Sequence, residues 1–159
     1  IQGASVSGIF KTLWKTVKGL KATLITVICL VGFSTVMDYA GMITVIAGGL
    51  AAATGSLYPL FAPLVGGIGT FITGSDTSAN ILFGKMQSTV AGHINVSPEW
   101  LAASNSVGAT GGKIISPQSI AIATSACSLQ GKEGEILKKS MPWAILYIVI
   151  SGLMVYFLV

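Results

Sequence analysis

The chain has 159 residues, 52% of them hydrophobic and 9% charged, with a mean hydropathy of +0.81. Soluble domains carry about 25% charged residues, so this chain is too poor in charge to cover a water-facing surface, and its length suits roughly four or five membrane spans of ~20 residues. The formal charge of +4 comes from lysines alone, which read as span-edge residues that set orientation rather than as a nucleic-acid surface.

Residues 1–21 form the first predicted element. Ile9, Phe10, Leu13, Trp14, Val17 and Leu20 fall at helical spacing, with Lys11, Lys15 and Lys18 on the other side. This pattern predicts a basic amphipathic linker helix lying in the membrane interface, Trp14 at headgroup depth. Ile1–Gly8 contain no signal-peptide core, and a start at Ile1 without methionine reads as a fragment.

Residues 22–159 read as membrane-embedded. The stretch 22–53 is apolar except at Asp38. As one straight helix it would run ~48 Å against a ~30 Å hydrocarbon core. An interrupted span is therefore expected, broken at Met37–Gly41. Residues 57–88 hold two apolar arms around the polar tip Thr73–Asn80. Each arm is short for a full crossing, which predicts a re-entrant hairpin. Residues 98–128 predict a broken helix, with Gly108–Gly112 as the breaker cluster and Pro117 opening the second half. Short, Gly/Pro-interrupted apolar segments are the best sequence pointer to a transporter binding site. After a polar loop at 129–139, residues 140–159 carry no charge and predict a final span, opened by Pro142 and anchored by Trp143.

The lysines give one consistent topology. Lys11, Lys15, Lys18 and Lys21 precede the first span, Lys132, Lys138 and Lys139 precede the last, and the connection from Ser88 to Glu99 has none. If 22–53 crosses once, both basic segments are cytoplasmic and the His93 connection is periplasmic.

Two long strings are distinctive: TGSDTSAN at 73–80 and GKIISPQSIA at 112–121, with GKEGEILKKS following at 131–140. In these the chain resembles the C-terminal region of the bacterial L-lactate permease family. The resemblance implies a multi-pass inner-membrane carrier taking up L-lactate and related 2-hydroxy acids such as glycolate by proton symport. It further implies a chain that lacks an N-terminal partner half. The arrangement is also similar to one repeat of the ion-transporter superfamily, an all-α membrane fold in which each repeat has a re-entrant hairpin and a discontinuous transmembrane helix. That likeness concerns the fold and says little about substrate.

Candidate site residues cluster at the two interruptions. Ser75, Thr77, Ser78 and Asn80 at the tip offer hydroxyls, an amide and unpaired backbone groups able to hold a carboxylate. Equally, Ser75 or Asp76 can cap the following helix. Asp76 is the candidate proton-coupling group, because an ionised carboxylate at membrane depth costs ~2.5–3.5 kcal/mol. At the second interruption Asn105, Ser106, Thr110, Ser116, Gln118 and Ser119 are candidate binders or helix–helix glue. Lys113 is the cation of that segment. It can pair the substrate, neutralise Asp76 or snorkel to the interface. No metal or cofactor is expected, since His93 and Glu99 are too few for a ligand set. Cys29 and Cys127 read as free thiols at membrane depth. Competing readings are an intramembrane aspartyl protease using Asp38 and Asp76, a channel with a re-entrant filter, and a fragment inactive without its other half.

Overall fold

Glycines, prolines and capping serines divide the chain into helices. The computed structural model describes residues 5–19 and 21–159, and every regular element among them is helical. The helices are α1 (Val6–Gly19), α2 (Lys21–Tyr39), α3 (Met42–Thr54), α4 (Tyr58–Thr73), α5 (Asp76–Ile94), α6 (Pro98–Ile115), α7 (Pro117–Ala126) and α8 (Glu133–Leu158); a 3-10 turn, Gly55–Leu57, joins α3 to α4. Residues 1–4, Leu20 of the predicted apolar stripe and the Lys21 side chain lie outside the described residues.

Local chemistry sets the boundaries. Between α2 and α3 the chain turns at Ala40–Gly41, where Gly41 takes φ 72°. Gly74 (φ 70°) closes α4, and Ser75 caps α5 by accepting from Ser78 N at 3.3 Å. Ser97 and Ser116 cap α6 and α7 in the same way, each followed by a proline that needs no hydrogen-bond acceptor in the first turn.

Two elements differ from the sequence reading. First, α6 runs unbroken through Gly108–Gly112, and the interruption falls at Ser116. Glycine costs about 1 kcal/mol in a helix interior relative to alanine, yet here the missing side chains let α6 lie directly on α4. A Cβ on Gly108 would overlap the Pro63 carbonyl, one on Gly112 the Gly67 carbonyl, and one on Gly66 the Asn105 carbonyl. Such small-residue crossings are a membrane packing device. Second, α8 starts at Glu133 rather than at Ser140, with Pro142 inside the helix. The segment Glu133–Lys139 is rich in helix formers, and Lys139 Nζ meets Glu135 Oε1 at 2.7 Å one turn earlier.

The contacts also set helix directions. Along the α4–α5 hairpin, a Cβ on Gly69 would meet Ala79 and Phe83, while Ala62 and Tyr58 reach Gln87. α6 runs parallel to α4, as Pro63 faces Gly108 and Gly67 faces Gly112. α8 runs antiparallel, with Ile148 near Gly67 and Gly152 near Leu60. α2 and α3 follow α5 in its own direction: Ser34 donates to Ile81 O at 3.0 Å, Asp38 pairs with Lys85, and Gly48 faces His93. The starts of α2 and α8 therefore point toward the end of the bundle that holds the Gly74–Ser75 turn. The Asn95–Ser97 connection lies at the other end.

Small and polar residues supply much of the interior, beside an apolar cluster that contains Ile43, Tyr58, Met86, Val90, Leu101 and Val155. The buried set includes Ala47, Ala62, Thr70, Ser78, Ala79, Gln87, Ala91, Ser104, Asn105, Ala109, Ala144 and Ser151, whereas Trp143, Ile145, Ile150, Met154 and Phe157 of α8 are exposed. Among the described residues, two helical stretches, 42–73 and Glu133–Leu158, are long and apolar enough to cross a membrane, the first being interrupted at Gly55 where α3 gives way to α4.

Candidate functional site

The tip of the α4–α5 hairpin meets the interruption between α6 and α7. Lys113, in the last turn of α6, donates from Nζ to Gly74 O at 2.7 Å. A Cβ on Gly74 would overlap Gln118, so glycine is required there both by φ and by contact. The ammonium has three N–H donors, of which the Gly74 carbonyl takes one. Among the described residues no ion pair joins Lys113 to Asp76; the lysine stands on the backbone two residues earlier.

Asp76 opens α5. Its Oδ1 is buried and has no hydrogen-bond partner, a property shared among the described residues only by Thr70 Oγ1. Ser75 and Ser116 serve as helix caps, and Ser116 Oγ also donates to Ser119 Oγ at 2.8 Å. An open cavity of about 430 Å³ adjoins this junction, lined by Thr110, Lys113, Ile114, Ser119, Ile120, Ala123, Ile136 and Ser140. It combines one cation with three hydroxyls, a suitable donor set for a small carboxylate. A larger concavity of about 700 Å³ follows the outer face of α8. Met141, Pro142, Ile145, Leu146 and Val149 line most of it, which suits lipid rather than a polar substrate.

A second cluster lies between α5 and α6. Asn80 Oδ1 accepts from Asn105 Nδ2 at 2.8 Å and from Ser106 Oγ at 3.1 Å. Asn105 is fully buried, and its Oδ1 accepts from Gln87 Nε2 at 3.2 Å. Gln87 Nε2 also donates to Ala62 O at 3.0 Å, and Gln87 Oε1 accepts from Tyr58 Oη at 2.8 Å. Tyr58 and Gln87 carry no signal in the sequence: Tyr58 stands in an apolar arm, and Gln87 is one of several polar residues, with Lys85, Ser88 and Thr89, in the second. Thr77, Ser106 and Thr110 are exposed, and Asn80 and Ser88 half-buried, along the face where α5 and α6 meet. Ser78 is buried, and its backbone N–H donates to the Ser75 cap.

The structure thus gathers Ser75, Asp76, Lys113, Ser116 and Gln118 at the junction, with Thr110 in the adjoining cavity, and holds Asn80 with Asn105 in a separate polar network. Asp38 belongs to neither. It pairs with Lys85 at the middle of α5, an interaction between positions 47 residues apart in sequence.

Comparison with known proteins places these features in context. The sequence matches the family described as L-lactate permease over residues 1–159. It is 41% identical over 139 residues to glycolate permease GlcA of Escherichia coli K12, covering 87% of this chain and 25% of that protein. It is 45% identical over 124 residues to an L-lactate permease of Bacillus subtilis strain 168 (78% of this chain, 22% of the relative) and 50% identical over 103 residues to one of Streptococcus iniae (65% and 22%). The chain spans about a quarter of the length of these curated relatives. No solved structure matches it.

Proposed function

The chain belongs to the L-lactate permease family, and from that premise we propose that it forms part of a secondary carrier for L-lactate, glycolate and related 2-hydroxy monocarboxylates. Its relatives are permeases, not enzymes, which removes the intramembrane protease reading. The proposed transport is proton symport across the bacterial inner membrane.

The observation that carries the reading is the meeting of two interrupted elements at Gly74, with Lys113 and Gln118 reaching the hairpin turn. The α4–α5 pair acts as a re-entrant hairpin and α6–α7 as a discontinuous helix, as in one repeat of the ion-transporter superfamily. Helix ends that stop within a bilayer expose backbone groups that must find partners in protein, water or ligand. Lys113 offers its remaining N–H groups to the substrate carboxylate. Thr110, Ser119 and the Gln118 amide are within the same junction for the 2-hydroxyl and the second carboxylate oxygen. Ser75 and Thr77 line the approach, Ser116 is buried and holds the start of α7, and Asn80 stands further along the α5–α6 face.

Asp76 carries the coupling proton in this scheme. With the substrate anion beside Lys113, a protonated Asp76 keeps the loaded site low in net charge, the condition for moving it through a bilayer. The small polar stripe of Thr77, Asn80, Ser88, Ser106 and Thr110 is ill-suited to lipid. It closes against further polypeptide of the same transporter, a partner consistent with relatives four times as long.

The test is uptake of radiolabelled L-lactate into proteoliposomes holding the gene product that contains this chain. Saturable uptake, accelerated by an inward proton gradient, abolished by a protonophore and competed by glycolate is expected. Flux that rises linearly with concentration and ignores the proton gradient would favour the channel reading instead.

A further inference from the structure

The buried amide network between α4, α5 and α6 has only one consistent orientation. A backbone carbonyl can only accept, so the Gln87 atom 3.0 Å from Ala62 O must be Nε2. Gln87 Oε1 then faces Tyr58 Oη, which donates to it at 2.8 Å. The Asn105 atom facing Gln87 Nε2 must in turn be Oδ1, at 3.2 Å. That leaves Asn105 Nδ2 to donate to Asn80 Oδ1 at 2.8 Å, with Ala79 O more distant at 3.5 Å. Ser106 Oγ also donates to Asn80 Oδ1. The Asn80 oxygen is doubly occupied, while its Nδ2 donates to no described residue and is not among the buried unpartnered atoms.

We infer that Gln87 and Asn105 form a positioning relay that compels Asn80 to present both N–H donors to the α5–α6 face, making Asn80 a neutral donor station for a substrate oxygen. The inference rests on the transport reading above and refines its site. Asn105, a candidate binder by sequence, is fully buried and committed on both sides of its amide; it acts through Asn80 and does not touch substrate. The station is also distinct from the ammonium. Ser106, beside Asn80, and Lys113 are seven residues apart on α6, about 10 Å along the helix axis at 1.5 Å per residue. A carboxylate leaving Lys113 thus meets a second set of donors without a second charge to hold it.

Equilibrium binding of labelled L-lactate to the detergent-solubilised gene product tests this. Asn80→Ala should weaken binding roughly tenfold, the scale of a hydrogen bond to a charged group. Gln87→Met should weaken it several-fold in the wild-type background and not further in Asn80→Ala, because a relay has no effect once its end group is gone. A merely structural role for Gln87 predicts losses that multiply. A second measurement needs no relay variant to fold: in protein labelled with 15N-asparagine, the side-chain NH2 signal that disappears in Asn80→Ala should shift on lactate addition, and the other asparagine side-chain signals should move far less. If wild-type protein binds neither lactate nor glycolate, the transport reading and the relay both fall. If it binds lactate while the Asn80 signal stays still, or the losses multiply, the relay alone is wrong.

Discussion

Asp76 and Lys113 carry the sharpest consequences at the scale of single residues. Lys113 has two duties, closing the hairpin at Gly74 O and, in the proposed function, holding the anion. Lys113→Ala should therefore raise the KM for L-lactate by about ten- to a hundredfold, the range for a lost charge-assisted hydrogen bond, with membrane insertion checked by the amount of protein in the bilayer. Uptake at the wild-type KM by well-inserted Lys113→Ala would remove the lysine from the site. For Asp76, the buried and unpartnered Oδ1 means that asparagine fits the position sterically while losing the exchangeable proton. Asparagine there should spare insertion and lactate binding but uncouple uptake from the proton gradient. These two residues are legible in the sequence because charge in an apolar chain is rare. Tyr58 and Gln87 are not, because a phenol in an apolar arm, or an amide beside Lys85, Ser88 and Thr89, has the same local pattern whether it faces outward or is buried. Only the partner, 29 residues away for this pair, decides.

Among the elements, the α4–α6 crossing depends on absent side chains. Gly108→Leu would drive a side chain into the Pro63 carbonyl, and overpacking of this kind costs ~1–3 kcal/mol or more. Its unfolding midpoint in denaturant should fall clearly, whereas Gly92→Ala, with open space around the added Cβ, should leave stability unchanged or raise it by up to ~1 kcal/mol. Equal effects of both would refute the crossing. The α2–α3 turn gives a second test. Asp38 and Lys85 neutralise one another, so Asp38→Asn or Lys85→Gln alone should lower the folded yield, and the double variant should recover it; additive losses would show that the pair is not coupled. The sequence marks the Ala40–Gly41 and Gly74–Ser75 turns with a glycine beside polar residues, and the α7 start with Ser116–Pro117. It misleads at Gly108–Gly112 because a missing Cβ both weakens a helix and lets another helix approach. Which consequence wins depends on Pro63 and Gly67, which local pattern does not reveal. The helical start at Glu133 is likewise hidden, since a charged stretch before an apolar span reads as loop until the Glu135–Lys139 pair is seen.

For the whole molecule, small and polar residues share the interior with a few large apolar ones while many large apolar side chains face outward, an arrangement suited to a bilayer, where packing and hydrogen bonds hold helices together. The helix directions put the starts of α2 and α8 at one end and the Asn95–Ser97 connection at the other. With the lysines, we propose that the first end is cytoplasmic. A single cysteine at Gly134 should resist an impermeant thiol reagent applied from outside intact cells, and one at Asn95 should react; the reverse pattern would invert the topology. The central claim is that this bundle couples lactate to protons through Asp76. The most direct measurement loads proteoliposomes with a pH-sensitive dye, imposes an inward L-lactate gradient with no initial pH difference, and follows the internal pH. Wild-type protein should acidify the interior in step with lactate entry, and Asp76→Asn should exchange internal for external lactate without acidification. Acidification by Asp76→Asn at the wild-type rate would contradict the account.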